Sequence, residues 1–211
     1  ALATAVAVWA GVTIVRAHPI DWEAYQTGEK ELGIVDEREF WTLAVGRELT
    51  DPPRYAEDFL GSKLMQNWED ALDKGIDANA SQLNLAYVSA DPEIYSWYYR
   101  DREEDASDLS NLPLTAYLIN LGMTSMNAPL DVRILDTVGL ATPIAARMPR
   151  DPKGRVGHDK FLDPAWQAAD TDTYLDGLPP FISSMRAKQA RAALRSPEIS
   201  ELLATSREPM S

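Results

Sequence analysis

Fifteen uncharged, mostly apolar residues open the chain, and they leave no polar face when drawn as a helix. The segment ALATAVAVWAGVTIV precedes Arg16, which is the first charged residue. Such a helix would be about 22 Å long, whereas the hydrocarbon core of a bilayer is about 30 Å thick. The segment also lacks the basic start of a signal peptide. Two interpretations of residues 1–16 therefore stay open: the end of a transmembrane helix, or an apolar helix packed against protein.

Two amphipathic helices are predicted after this segment. The stretch DEREFWTLAVGREL has acidic residues where the first helical turn would lie, which suits the helix dipole. Its apolar residues Phe40, Leu43 and Ala44 recur at helical spacing, so we expect them on the buried side. A second helical pattern covers residues 54–75, and Gly75 is expected to end that helix.

Strand patterns dominate the middle of the chain and helix patterns its end. In QLNLAYVSA, residues 82–90, apolar and polar side chains alternate, which predicts a strand. The runs LPLTAYLINLG and LDVRILDTVG are two strands, or a helix followed by a strand. Two helices are predicted at the end, the second with Ser196 as N-cap and Pro197 as its first residue. No repeat divides residues 17–211, so we expect one α+β domain, mainly helical with a small β-sheet.

Composition excludes several classes of function. The chain has 33 acidic and 20 basic residues and a net charge of −13, which argues against binding of nucleic acid. It has no cysteine, so disulfides and thiolate metal sites are excluded. With only His18 and His158, a histidine-rich metal site is excluded as well, and we predict no metal site. The glycine motifs that bind nucleotides are absent from the sequence.

Three acidic residues near the C-terminus leave one unusual cation site open. Asp170, Asp172 and Asp176 are close together in the sequence. They do not follow the EF-hand pattern, because Leu175 stands where that loop needs glycine. Only a nonstandard site with oxygen ligands is compatible with this spacing.

An aromatic cluster and a basic stripe each allow a binding role and a structural one. The aromatic side chains of YSWYY, residues 95–99, could stack on the apolar face of a sugar ring or fill the core and an interface. Lys188, Arg191 and Arg195 would share one helical face, which could touch anionic lipid headgroups or simply face water. For both patterns the structural role is the simpler interpretation.

The segment 136–160 combines side chains of both charges with glycines. Asp136 follows an apolar run, where it can cap a turn or accept hydrogen bonds from sugar hydroxyls. In the loop GRVGHDK, Arg155 and Lys160 could hold a phosphate, and His158 can donate or accept near neutral pH. The simpler interpretation is a loop pinned to its own domain, with Asp136 or Asp159 paired to Arg155. Physical chemistry alone favours the simpler interpretation.

The residues around this loop carry a resemblance to a known family. The matching residues are Asp136, Gly139-Leu140-Ala141, Pro143, Ala145-Ala146-Arg147, Gly154-Arg155, Gly157-His158-Asp159-Lys160 and Pro164-Ala165-Trp166. Upstream, GIVDER at 33–38 and Phe40-Trp41 match as well. In these residues the chain resembles the soluble C-terminal part of actinobacterial membrane arabinofuranosyltransferases of the terminal β-(1→2) type. The likeness covers about residues 33–166, and Asp159 stands where we expect the family to have glutamate.

The resemblance implies a polytopic membrane glycosyltransferase with a GT-C type fold, whose donor is decaprenyl-phosphoryl arabinofuranose. In such enzymes the catalytic carboxylate lies near the first membrane helices, in a region that this sequence does not contain. The chain is thus expected to be the extracytoplasmic C-terminal domain at the cell membrane, without a cofactor of its own. Its expected partners are the membrane portion of the same polypeptide and the cell-wall arabinan acceptor.

Two hypotheses follow for the domain itself. In the first, it is non-catalytic and helps to place the acceptor arabinan. Its candidate glycan contacts then lie around the glycine-containing loop: Asp136, Arg147, Arg155, His158, Lys160 and Trp166. In the second, it is a structural or partner-binding domain without glycan contact. Independent enzymatic activity of this chain is a third and weaker hypothesis.

Overall fold

The structure, a computed structural model, describes four ranges of the 211-residue chain: 2–17, 36–103, 112–154 and 157–207. The chain divides into two compact units, residues 1–40 and 41–211. The fold is α+β, with helices around a small four-stranded sheet, as predicted. The predicted domain boundary at residue 16 stays a prediction, because residues 18–35 lie outside the described part.

Helix α1, Leu2–Ala17, contains the apolar opening segment. The large apolar side chains between residues 2 and 14 are exposed, and Trp9 leaves 70% of its surface uncovered. Thr13 donates its hydroxyl to the carbonyl of Trp9 at 2.8 Å, so this polar group is satisfied within the helix. Within the four described ranges, no helix is both long enough and apolar enough to cross a membrane.

Helix α2, Glu37–Ala44, buries a different side from the one predicted. Phe40 and Leu43 are about half exposed, whereas Thr42 is buried. The neighbouring Trp41 meets the ring of Phe59 edge-on, with 6.5 Å between the ring centroids. This tertiary contact turns the side of Trp41 inward, so the predicted burial of Phe40 and Leu43 is wrong.

The second predicted helix is broken into shorter pieces. Two 3₁₀ turns, Ala56–Gly61 and Lys63–Met65, precede helix α3, Trp68–Asp77. Asn67 has a φ of +51° just before α3, a conformation that a continuous right-handed helix cannot contain. Gly75 does not end the helix. It lies inside α3, where a Cβ atom would stand 3.2 Å from a methyl group of Leu83.

The sheet combines one long hairpin with two short strands. Strands β1, Gln82–Ala90, and β2, Glu93–Arg100, are antiparallel, and β1 confirms the predicted strand. Strand β3, Thr115–Tyr117, is followed by helix α4, Leu121–Met126, and then by strand β4, Arg133–Leu135. The strand order is β2-β1-β3-β4, with β3 parallel to both of its neighbours.

The outer half of the hairpin extends beyond the rest of the sheet. Strand β3 pairs with β1 only at Gln82 and Leu83. Residues 84–90 therefore have β2 as their only strand neighbour in the described ranges. The register shifts between Tyr87 and Ser89, which marks a β-bulge in this projecting part.

Three helices follow the loop that leaves β4. They are α5, Pro164–Ala169, α6, Ser184–Leu194, and α7, Pro197–Arg207. Helix α5 begins with Pro164 at its first turn, and the side chain of Asp163 accepts the N–H of Ala165. Helix α7 begins at Pro197, as predicted from the capping pattern.

Two clusters of apolar side chains cover the two faces of the sheet. On one face, Trp68 of α3 packs edge-on against Trp97 of β2, with 4.6 Å between ring centroids. Successive side chains of a strand point to opposite faces, so Ala116 joins this cluster and Tyr117 faces the other way. Tyr117 packs with residues of the loop after β4 and with Leu203 of α7. That loop is therefore part of the second layer of the core.

Candidate functional site

Asp136 organises the first half of the signature loop, a name used here for the described residues between 136 and 160, which are 136–154 and 157–160. It directly follows β4 and has no exposed surface. Its carboxylate accepts five backbone N–H groups, those of Val138, Gly139, Leu140, Ala141 and Thr142. Burial acts to raise the pKa of Asp136, but these donors outweigh it and hold the pKa below its usual value. The carboxylate is thus a structural anchor rather than a group that faces solvent.

Two glycines allow the signature loop to close on itself. Gly139 has a φ of +92°, and a Cβ atom there would lie 2.4 Å from the backbone of Ala146. A Cβ atom on Gly154 would lie 2.5 Å from the Cα of Asp159. Neither position accepts a side chain unless the backbone moves. Gly139 and Gly154 therefore allow close contact between backbone segments of the loop.

The second half of the loop is tied down by two basic side chains. Lys160 donates from Nζ to the carbonyl of Ala146 at 2.5 Å. Asp159 is buried and forms an ion pair with Arg150, whose hydrogen bond holds the pKa of Asp159 below its usual value. The sequence suggested Arg155 as the aspartate's partner. Arg155 lies outside the described residues, and its roles as glycan contact and as ion-pair partner stay predictions.

Four of the predicted contact residues keep surface that a ligand can reach. Arg147 and His158 are exposed, and Trp166 and Lys160 are half-buried. Arg147 donates to the carbonyl of Pro143 at 3.1 Å, which orients its guanidinium next to the loop. The structure therefore separates the predicted set into exposed side chains and the anchors Asp136 and Lys160.

The loop and the start of α5 are brought together by an apolar cluster. Ile144 and Leu162 lie in its buried centre, and Met148 and Trp166 pack at its margin. The hydrogen bond from Lys160 to the carbonyl of residue 146 joins the same two segments. Residues 144–148 are thus held beside residues 160–166, as the grouping of the candidate contacts requires.

The three acidic residues considered for a cation site have basic partners instead. Asp170 pairs with Arg207, Asp172 with Arg102, and Asp176 with Lys188. Across the described ranges, no group of three or more acidic, histidine or cysteine side chains could hold a metal ion. The positive charge that a metal would supply is provided by these side chains.

Tyr117, Asp170 and Arg207 form a cluster joined by hydrogen bonds, with Tyr117 and Asp170 buried at its centre. The hydroxyl of Tyr117 donates to Asp170 at 2.6 Å, and Arg207 donates to the same carboxylate at 2.7 Å. Burial raises the pKa of Tyr117 well above its usual value, and the charge of Asp170 adds to the effect. Tyr117 is therefore a neutral donor that links β3 to α5, while Arg207 brings in α7.

The basic stripe predicted on α6 does not form an exposed surface. Arg191 is only 9% exposed and forms an ion pair with Glu103. It also donates to the carbonyls of Thr171 and Thr173, at 2.9 and 2.6 Å. Lys188 and Arg195 are exposed, whereas Arg191 faces the interior. The three residues therefore do not share one exposed face, and the lipid-binding stripe and the solvated stripe are both wrong for Arg191.

The aromatic cluster of β2 is divided between core and surface. Trp97 is buried in the core against α3, and its indole N–H donates to the carbonyl of Leu64 at 2.7 Å. On the opposite face of β2, Tyr98 lies under the guanidinium of Arg100. Tyr95 lies on the Trp97 face but further out, where its ring is only partly covered. The four aromatic residues thus do not form one platform.

Sequence reasoning missed the pairs that join distant residues. Arg102 and Asp172 are 70 positions apart, and Lys63 and Glu93 are 30 apart, so no local spacing predicts either pair. The sequence did contain a pattern that predicts the position of Tyr87 on the hairpin. The alternation that buries Leu83 at the base of β1 places Tyr87 on the same face, beyond the core.

Comparisons with known proteins agree with the resemblance. The family described as the AftB family C-terminal domain matches residues 61–211. The terminal beta-(1->2)-arabinofuranosyltransferase of Corynebacterium glutamicum is 45% identical over 208 residues, which are 97% of this chain and 29% of that protein. The protein of the same name from Mycobacterium tuberculosis is 32% identical over 185 residues, which are 84% of this chain and 28% of that protein.

The matches cover only part of each relative. The chain spans less than a third of the length of the two curated relatives. No solved structure matches it.

Proposed function

The chain belongs to the family of AftB C-terminal domains, and we propose that it serves a terminal arabinofuranosyltransferase of cell-wall arabinan synthesis. Its role in that enzyme is non-catalytic: it helps to place the acceptor glycan. The names of both relatives support the reaction class. The signature loop supports the role, because its carboxylates are engaged within the domain while other side chains stay exposed.

The observation that carries the proposal is the contrast between a fixed backbone and exposed side chains in the signature loop. Asp136 holds five N–H groups, and Lys160 holds the carbonyl of Ala146. Arg147 and His158 are exposed on this backbone. A ligand that binds to an already ordered loop does not have to order it, which lowers the cost of binding.

The proposal puts the domain on the extracytoplasmic face of the cell membrane, next to the membrane portion of the same polypeptide. The apolar side chains exposed around α1 support it, because contiguous apolar surface is unfavourable in water. The donor, decaprenyl-phosphoryl arabinofuranose, is then bound by the membrane portion. The domain itself needs no cofactor for placing an acceptor.

Titration with an arabinofuranose oligosaccharide tests glycan binding directly. NMR spectra of the 211-residue chain, kept in a detergent that covers α1, are recorded with and without the sugar. We expect shifts in the side chains of Arg147, His158 and Trp166. A glucose oligosaccharide of equal length is the control. The absence of any shift in a folded chain contradicts a role in acceptor binding.

The second candidate is a structural domain that stabilises the enzyme or binds a protein partner. It is favoured by the same anchors, since Asp136 and Lys160 hold backbone groups of their own domain. The double variant Arg147→Ala, His158→Ala in the whole enzyme separates the two candidates. A raised KM for the acceptor with an unchanged melting temperature supports glycan placement. An unchanged KM supports the structural candidate.

A further inference from the structure

We propose that the outer half of the β1–β2 hairpin is a stacking site for a neutral oligosaccharide. The site consists of the rings of Tyr87 and Tyr95, with Glu93 and Lys63 beside them. The inference rests on the proposed function, because acceptor placement supplies the class of ligand. It assigns the ligand a second surface: the hairpin and β4, from which the signature loop starts, lie at opposite edges of the sheet.

The two rings form a pair across the hairpin. Tyr87 and Tyr95 are direct cross-strand partners, with 5.3 Å between ring centroids and 52° between ring planes. The next pair inward on the same face is Leu85 and Trp97, and Trp97 is buried. The ring pair therefore lies where this face of the hairpin leaves the core. Tyr87 is 58% exposed at that point.

The fold itself makes little use of these rings. In the described ranges, residues 84–90 of β1 have no strand neighbour other than β2. The helix α3 that covers the inner part of this face packs against Trp97 through Trp68. Exposed aromatic rings offer a flat apolar surface, which matches the C–H face of a sugar ring.

Polar groups at the margin match the hydroxyls of a sugar. Tyr95 donates its hydroxyl to Oε1 of Glu93 at 2.8 Å, and Lys63 donates from Nζ to Oε2 at 3.4 Å. Each carboxylate oxygen has a second lone pair, and the ammonium group has further N–H donors. The hydrogen bond from Tyr95 holds the pKa of Glu93 below its usual value, so the carboxylate is an acceptor at neutral pH. Sugar hydroxyls both donate and accept, so this acceptor and this donor can both be used.

The charge of the site favours a neutral ligand. Glu93 and Lys63 carry opposite charges and lie in contact, so the site has no net charge of its own. The chain as a whole carries −13, which disfavours anionic polymers and anionic lipid headgroups. A neutral glycan chain is not repelled by this negative charge.

Affinity measurements on hairpin variants test the inference. The 211-residue chain and its variants are titrated with an arabinofuranose oligosaccharide in the same detergent. For Tyr87→Ala we expect binding to be weaker by about tenfold, the upper range of an aromatic contact. For Glu93→Gln we expect about threefold, because the neutral amide is a weaker acceptor. Tyr55→Ala, which removes a similarly exposed ring elsewhere, should change the affinity by less than about twofold.

NMR shifts in the same titration distinguish a failure of the hairpin inference from a failure of the proposed function. Shifts at the hairpin that disappear in Tyr87→Ala support the inference. Shifts confined to residues 147–166, with normal binding by Tyr87→Ala, overturn it and leave the proposed function intact. A folded chain that binds no arabinofuranose oligosaccharide overturns both. If Tyr87→Ala binds the sugar normally but loses contact with the membrane portion in the whole enzyme, the rings form an interdomain contact and the inference is overturned.

Discussion

The signature loop and the outer hairpin use polar side chains in opposite ways. In the loop, Asp136 and Lys160 bind backbone groups of their own domain, and five N–H groups occupy the buried carboxylate of Asp136. In the hairpin, Glu93 binds the side chains of Tyr95 and Lys63, which stay partly exposed. The residues that make the chain recognisable therefore build a rigid backbone, whereas the hairpin offers side chains that the fold leaves open to a ligand.

Removing the anchor of the loop should have the largest effect. We expect Asp136→Ala to lower the free energy of unfolding by about 4 kcal/mol, because buried N–H groups would lose their acceptor. Urea unfolding followed by circular dichroism measures it. The matched control is Asp151→Ala in the same loop, whose carboxylate accepts one N–H at the surface. The control should cost less than about 1 kcal/mol, and equal costs for both variants would refute the anchor role.

The close approach at Gly139 should give the next largest effect. We expect Gly139→Ala to cost about 3 kcal/mol, because the new methyl group would clash with the backbone of Ala146 at a positive φ. Gly122 of α4 has open space at its Cβ position, and Gly122→Ala should be neutral or slightly stabilising. Thermal unfolding of the two variants gives the comparison. A tolerated alanine at 139 would show that the loop backbone is not held as described.

A third buried contact should give a smaller effect. Tyr117→Phe removes the hydrogen bond to Asp170, and we expect a cost of about 2 kcal/mol because the acceptor is charged. Tyr87→Phe removes a hydroxyl from an exposed ring and should change stability by less than about 0.5 kcal/mol. Urea unfolding of both variants compares the loss of stability at the buried Tyr117 with that at the exposed Tyr87. Equal effects would mean that the hairpin is more tightly integrated than its exposure indicates.

The smallest effect is expected from pH. The pKa of Asp136 is below its unfolded value of 3.8, so its ionised form contributes stability that is complete above that value. This contribution is lost as the pH falls through the folded pKa. The natural chain should therefore have a higher free energy of unfolding than Asp136→Asn at pH 5, and this difference should become smaller as the pH is lowered further. A difference that stays constant in acid would show that the charge of Asp136 contributes nothing.

Local patterns predicted the elements whose causes are local. The alternation in β1 and the Pro197 start of α7 depend on neighbouring residues, and the structure confirms both. The prediction of one helix over residues 54–75 was wrong because Asn67 has a left-handed backbone conformation that interrupts the helix. The spacing of apolar residues does not reveal such a conformation. The prediction that Phe40 and Leu43 are the buried residues of α2 was also wrong, because a contact between Trp41 and a residue distant in sequence decides which side is buried.

The sequence indicated only part of the structural roles in the signature loop. The sequence left Asp136 two roles, capping a turn or binding sugar hydroxyls, and the structure shows the turn. The partner that the structure describes for Asp159 is Arg150, nine positions earlier in the sequence. The loop closes back on itself, so separation in sequence does not indicate which side chains meet. The Glu93–Lys63 pair depends on contacts across the fold and had no local signal.

Amide hydrogen exchange in the signature loop tests the central claim most directly. If Asp136 anchors the loop, the amide protons of residues 138–142 should exchange as slowly as those of β3. We expect a slowing of about a thousandfold relative to an unstructured peptide, an opening free energy of about 4 kcal/mol. In Asp136→Asn the protection of these five amides should fall while β3 stays protected. Exchange at the rate of an exposed loop in the natural chain would contradict the account.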